Sequence, residues 1–370
     1  MCVSSALCIC SARLSRTCPG DCRTWQEAGI LPPSGCGVFV MTLLDVQNLK
    51  THFILKKAWL PGRRDVVLKA VDGVTFSIQK GEVLGLVGES GCGKSTVART
   101  LTRLETATSG SVQFRNVDIL SMDHGTFRPL RRHIQMIFQD PYASLNPRLT
   151  IGQTLAEPLR IHGLASSREN INLKILEILT LVGLDKSAIG RFPHEFSGGQ
   201  RQRVGIARVM LLSPDLIIAD EPVSALDVSI QAQILNLIKE LQKSRGMAML
   251  FVSHDLGVVR HICDRVAVMY LGRIVEIGTK EEIFNTPSHP YTKMLLASVP
   301  GIGRGKTRKR PEMIGEPGNA IDPPNGCAFH PRCIWATDQC RQSLGPTHKF
   351  SKTHSSLCHH AQAIQSKKVA

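Results

Sequence analysis

The stretch Gly88-Glu89-Ser90-Gly91-Cys92-Gly93-Lys94-Ser95-Thr96 reads GESGCGKST and fits G-x-x-x-x-G-K-[ST], directly after the apolar run Val83-Leu84-Gly85-Leu86-Val87. That order predicts a buried strand, a glycine loop and then a helix. Gly88, Gly91 and Gly93 free the backbone to turn successive N–H groups inward around an anion. A polyphosphate suits such a cradle. Lys94 would reach the β- and γ-phosphates, the Ser95 hydroxyl would ligand Mg²⁺, and the N-terminus of the following helix adds its partial positive charge. Every residue from Gly88 to Thr96 is therefore a candidate nucleotide contact.

Working outward, Leu216 to Ala219 reads as a second buried strand and ends in Asp220-Glu221. Beside a nucleotide, Asp220 would hold Mg²⁺ through its water shell, and Glu221 would orient and deprotonate a water aimed at the γ-phosphate. The run IQMIFQ ends in Gln139, and the run Met247 to Val252 is followed by His254. Polar residues at strand ends fall on the ligand-facing edge of an open parallel sheet. Gln139 and His254 are thus expected at the reacting phosphate, and Gln139 joins Ser95 and Asp220 as a candidate Mg²⁺ ligand.

Between Gln139 and Leu216 the pattern turns helical, with periodic apolar positions in Ile151 to His162 and Ile171 to Val182. This predicts an inserted helical subdomain over about residues 145–212. It closes with FSGGQRQRVGIA, in which Ser197 is a natural N-cap and Gly198-Gly199 allows close approach to the first turn. The chain already has one phosphate cradle, so a second anion-facing helix start points to a site completed by another molecule.

Ahead of the glycine loop, MTLLDVQNLKTHFIL from Met41 reads as a first strand. Val66 to Val71 and Val74 to Ile78 read as two more, broken by a tight hairpin at Asp72-Gly73. KKAWLPGRRD, between the first strand and Val66, is expected as a surface loop. An aromatic in this region can stack on adenine: Phe53 is the first candidate and Trp59 the second, with simple packing of Phe53 in its sheet as the alternative. Residues 1–40 show no sustained periodicity, so the ordered chain is expected to start at Met41, after a disordered or mis-assigned extension.

The chain has 370 residues, 42% of them hydrophobic, enough for one main domain with appendages. Its net charge is +15, and about half of that excess lies after residue 300, around the cluster GRGKTRKR. Such charge is compatible with nucleic acid, an anionic membrane surface or a solvated tail. No run of about 18 consecutive apolar residues occurs, so nothing here is expected to span a bilayer unaided.

Taken in order, GESGCGKST, Gln139, FSGGQ, IIADEP, SALD and His254 resemble the nucleotide-binding subunit of ABC transporters over about residues 43–280. Phe196 stands where Leu is commoner in the signature. The resemblance implies an α/β P-loop NTPase cassette: a RecA-like core, an antiparallel β subdomain and the inserted helical subdomain, together over residues 41–285. It implies ATP hydrolysis with Mg²⁺, with Ser197, Gly198, Gly199 and Gln200 reaching the ATP of a second ATPase subunit, expected to be non-identical. SHPYTKMLLASVP followed by CAFHPRC resembles the C-terminal extension of oligopeptide and dipeptide importer ATPases, here over residues 286–370. Implied partners are two permeases and a substrate-binding protein, with no nucleic acid. The implied location is the cytoplasmic face of the bacterial inner membrane. Nickel importers share the extension and stay open as an alternative. A soluble ATPase acting on nucleic acid or ribosomes is the rival of another class. Such relatives usually carry two cassettes or a long coiled coil, whereas here about a hundred residues separate the glycine loop from the signature.

Cys327, Cys333, Cys340 and Cys358 are spaced C-x5-C-x6-C-x17-C. Four thiolates suffice for a Cys₄ site, and the absence of a C-x-x-C pair departs from zinc-ribbon spacing. An iron–sulfur cluster is the first expectation, four free cysteines the second, and zinc with His330 or His359 assisting the third. Some importer ATPases of the resembling type are understood to carry such a cluster.

Overall fold

The computed structural model describes residues 42–56, 66–140, 142, 144–299 and 318–366. The expected start at Met41, the extension before it, Trp59 and the basic cluster at 303–310 lie outside the described residues.

Among the described residues, twelve strands form two sheets. In chain order they are β1 (Thr42–Lys56), β2 (Val66–Gln79), β3 (Val83–Val87), β4 (Ser109–Phe114), β5 (Val117–Asp118), β6 (Ile134–Ile137), β7 (Leu216–Asp220), β8 (Ala248–Ser253), β9 (Arg265–Tyr270), β10 (Arg273–Thr279), β11 (Thr347–Lys349) and β12 (Ser355–Leu357). The smaller sheet runs β2-β1-β4-β5 and is antiparallel. The larger runs β11-β12-β10-β9-β3-β8-β7-β6, and its section from β9 to β6 is parallel.

Every residue of β3, β7 and β8 is buried, as strands of a parallel sheet covered on both faces must be. Successive side chains alternate between two cores. Leu84, Leu86, Leu216, Ile218, Leu250 and Val252 pack with the antiparallel sheet. Val83, Val87, Ile217, Ala219, Met249 and Phe251 pack with the helices. The glycine loop, carried by the strand at the middle of this double-faced sheet, therefore has a rigid base.

The expected hairpin at Asp72-Gly73 is not there. Val66–Gln79 is one strand, and both halves pair with β1: Thr51 opposite Val71, Lys50 opposite Asp72, Leu49 opposite Val74. The register shifts at this point, and Gly73 has φ +89°. A glycine at positive φ serves a bulge as readily as a turn, and here the common partner strand decides for the bulge.

The helices Ile151–Ile161 and Arg168–Leu181 start at side-chain caps, Thr150 and Ser167. Thr150 forms a reciprocal pair with Gln153. Leu155, Leu159, Ile175 and Leu179 are buried at helical spacing and share a core with Val204 and Ala207 of the helix Gly198–Met210.

The C-terminal segment is built into the large sheet. β12 pairs antiparallel with β10, Glu276 opposite Ser356, and β11 pairs in turn with β12. A buried carboxylate locks the joint. Glu276 Oε1 accepts from Ser288 N and Oγ, both at 2.7 Å, and lies 2.8 Å from His354 Nε2, while Oε2 accepts from His289 N at 3.0 Å. Burial pushes this carboxyl up, but hydrogen bonds from His354 and Ser288 outweigh it and hold the group below the ordinary carboxylate value.

Candidate functional site

The glycine loop joins β3 to the helix Lys94–Leu101. Gly93 caps that helix at φ +105°, and a Cβ there would lie 2.0 Å from the Ala70 carbonyl oxygen, so only glycine fits. Lys94 is 5% exposed, and its Nζ donates to the carbonyls of Gly88 at 2.9 Å and Glu89 at 3.0 Å. The ammonium is thereby held over the loop. Next to it, Ser95 Oγ donates to Asp220 Oδ1 at 2.9 Å. Asp220 is 3% exposed, and burial pushes its carboxyl up. A hydroxyl and a buried carboxylate in contact beside a lysine are the hard oxygen donors that Mg²⁺ takes.

Glu221, one residue on, stands at the end of β7 with φ +45°, in the left-handed region, its N–H bonded to Val252 O at 3.0 Å. A non-glycine residue held there carries strain that its neighbours maintain. Its carboxylate is bracketed. Gln139 Nε2, from the segment after β6, donates to Oε2 at 3.1 Å, and His254 Nδ1, after β8, lies 3.1 Å from Oε1. Three adjacent parallel strands thus deliver Gln139, Glu221 and His254 to one edge, the edge that also carries the glycine loop. The Glu221 side chain is 11% exposed and that of His254 51%, so the acid is sheltered and its partner faces outward.

Phe53 sits in β1 opposite Leu68, half-buried. Two residues earlier, Thr51 bonds to Thr100 of the glycine-loop helix at 3.0 Å, which sets the strand alongside that helix. Among the described residues no ring contact joins Phe53 to the loop itself. Ser197 caps Gly198–Met210 reciprocally: its Oγ accepts from Gln200 N at 3.4 Å, and Gln200 Oε1 accepts from Ser197 N at 3.0 Å. Leu226 and Ile230 lie against Gly198 and Gly199. The signature helix packs on the helical subdomain and on Val228–Arg245, and no hydrogen bond joins it to the glycine loop among the described residues.

Cys327, Cys333, Cys340 and Cys358 are free thiols and line one recess together with His330, His359 and His360. Burial pushes the Cys333 thiol up to about 11 and Cys358 to about 12. Among the described residues no three Cys, His, Asp or Glu donors are gathered closely enough to hold a single metal ion.

Sequence reasoning missed two residues that touch the loop. Tyr291 Oη accepts from Glu89 N–H at 2.9 Å, and Arg332 grips the Glu89 carboxylate with both terminal nitrogens, at 2.7 and 2.9 Å. Both lie in motifs already quoted, SHPYTK and CAFHPRC. Nothing local to those motifs marks a contact 202 and 243 residues away.

Two family descriptions match the chain: "ABC transporter" over residues 71–224, and "Oligopeptide/dipeptide transporter, C-terminal region" over residues 275–340. The oligopeptide transport ATP-binding protein AppF of Bacillus subtilis is 49% identical over 321 residues, covering 86% of this chain and 97% of that protein. The dipeptide transport ATP-binding protein DppF of Haemophilus influenzae is 49% identical over 301 residues, covering 81% and 91%. Among solved structures, a dimeric ATP-binding cassette in a post-hydrolysis state, bound to ADP and Pi, matches with a TM-score of 0.58 at 28% identity, covering 64% of this chain and 98% of that one.

Proposed function

Because this chain belongs to the ATP-binding proteins of ABC transporters, in their oligopeptide and dipeptide branch, we propose that it energises peptide import through a composite site shared with another ATPase subunit. The chain is an ATPase. The observation that carries the assignment of roles is the bracketing of Glu221 by Gln139 and His254, one residue from an Asp220 that already contacts Ser95. In this reading Gly88 to Thr96 bind the phosphates, and Phe53 stacks on the base. Ser95 and Asp220, with Gln139 at hand, would hold Mg²⁺, which would supply neutralisation of phosphate charge. Glu221 accepts the proton of the attacking water, Gln139 fixes one of its oxygens, and His254 supports the other and reaches toward the γ-phosphate.

Ser197 to Gln200 act on the nucleotide of the partner. Their helix start carries first-turn N–H groups that have no intrahelical partner, at a position packed against Leu226 and Ile230. The partner proposed is a related, non-identical ATPase, with two permeases and a substrate-binding protein completing the importer at the cytoplasmic face of the bacterial inner membrane. No described helix is long and apolar enough to cross a membrane, so the bilayer path belongs to the permeases in this reading. Purified alone, the chain should hydrolyse ATP weakly, and adding the second ATPase should raise the rate. Full activity and a stable ATP-driven homodimer from the isolated chain would refute the pairing.

For the four cysteines we propose an iron–sulfur cluster, a reading supported by the four thiols lining one recess. A single Zn²⁺ with bonds of about 2.3 Å would need its thiolates within about 4 Å of one another, whereas here the thiols surround one recess without any three sharing an ion-sized centre. A cluster whose four irons each take one thiolate does not ask the thiols to share a single centre. When bound, the cluster would supply a structural cross-link. This chain's part is to present Cys327, Cys333, Cys340 and Cys358 from a segment pinned by the Cys327 N–H bond to Cys340 O, 2.8 Å.

A further inference from the structure

Glu89 is the second residue of the glycine loop, and all of its polar groups are engaged. Its N–H donates to Tyr291 Oη at 2.9 Å, its carbonyl accepts from Lys94 Nζ at 3.0 Å, and its carboxylate is held by both terminal nitrogens of Arg332. The carbonyl also accepts from Cys92 N–H at 3.3 Å, and two of these four partners come from the C-terminal segment. We infer that Arg332 and Tyr291 are positioning residues of the ATP site, acting through Glu89 to set the affinity for nucleotide. The inference rests on the ATP-binding reading of Gly88 to Thr96.

The contacts are built for rigidity. The Arg332 side chain is 3% exposed, and a bidentate guanidinium–carboxylate pair fixes angle as well as distance. Tyr291 is fully buried, its ring 4.7 Å from that of Tyr270 at the end of β9 and 5.4 Å from that of Phe329. Phe329 is itself buried, and its carbonyl accepts from Arg332 N–H at 3.1 Å. One aromatic cluster thus anchors both residues on the strand beside β3.

The charges give the inference a sign. Glu89 places a carboxylate in a loop whose ligand is a polyanion, so its charge opposes binding. The Arg332 fork neutralises it. Meanwhile the Tyr291 bond fixes the Glu89 residue whose carbonyl receives the Lys94 ammonium, and so holds that lysine in place. Losing Arg332 would leave a free carboxylate beside the phosphates. Losing both charges would remove the repulsion.

The test is the Kd of a fluorescent ATP analogue with Mg²⁺ for the purified full chain, with melting midpoints taken without nucleotide. Arg332→Gln should raise Kd about tenfold, the effect of one uncompensated negative charge beside the phosphates. The double variant Glu89→Gln/Arg332→Gln should recover most of that loss, and Tyr291→Phe alone should raise Kd severalfold. A purely structural brace would lower the melting midpoint without moving Kd, or would leave the double variant as weak as Arg332→Gln, and either result overturns the inference. Should Arg332→Gln not fold, Tyr291→Phe decides, since it deletes a single oxygen: an unchanged Kd refutes the inference. A wild-type chain that failed to bind the analogue would instead refute the ATP-binding reading, and this inference with it.

Discussion

Replacing Glu221 by Gln changes one carboxylate oxygen into an amide nitrogen and leaves the side-chain volume as it was. The backbone at φ +45° and the N–H bond to Val252 O at 3.0 Å tolerate Gln as they do Glu, so the fold should be untouched. The amide oxygen can still accept from Gln139 or face His254, at the 3.1 Å both now show, but the nitrogen cannot accept a proton from water. What is lost is the general base and its charge, worth about 10² to 10⁴ in rate, or about 3–5 kcal/mol of barrier. Binding should survive, because Lys94 and the Ser95–Asp220 pair make no contact through Glu221 Oε1 or Oε2. Single-turnover phosphate release, read with the partner ATPase present and alongside ATP affinity, separates the two quantities. The account predicts wild-type affinity, a collapsed rate and accumulation of the ATP-bound dimer. Hydrolysis at near the wild-type rate would show that Glu221 is not the base.

Three further outcomes follow from particular residues. Gly93→Ala puts a methyl 2.0 Å from the Ala70 carbonyl oxygen at φ +105°, so it should cost at least about 1–2 kcal/mol in stability and remove ATP binding, measurable by denaturant melts and nucleotide titration. His289 is buried and held neutral, with its pKa lowered by burial from 6.5 to about 4; the folded state disfavours the proton, so stability is complete above about pH 6.5 and falls as pH drops toward 4, by up to about 3 kcal/mol. His289→Asn, which keeps a side-chain acceptor for the Tyr291 N–H, should flatten that acid limb; an unchanged slope would mean another group titrates. Anaerobic purification should give a brown protein absorbing near 400 nm, colourless once Cys333 and Cys340 become Ser while ATP binding persists; stoichiometric zinc in a colourless wild-type preparation would favour the mononuclear alternative.

Much of the core was legible because it is local. The glycine loop, the all-apolar runs of β3, β7 and β8, and the polar residues closing them are contiguous patterns, and parallel strands ending on one edge bring Gln139, Glu221 and His254 together. Asp72-Gly73 misled because a positive-φ glycine marks a bulge and a turn alike, and only the partner strand tells them apart. The three-residue strands β11 and β12 are too short to show any period, and they join the sheet through backbone bonds that no side chain announces. Arg332 and Tyr291 were illegible for another reason: an ion pair with Glu89 across 243 residues leaves no spacing to read.

Coupling of hydrolysis to peptide lies at the centre of the account. The direct measurement is ATP turnover by this chain assembled with the second ATPase and the two permeases in liposomes, with the binding protein added and di- and oligopeptides titrated. The account predicts turnover that rises with peptide, accompanies uptake into the vesicles, and disappears with Lys94→Ala. Turnover indifferent to every peptide, or peptide uptake that persists with Lys94→Ala, would contradict it.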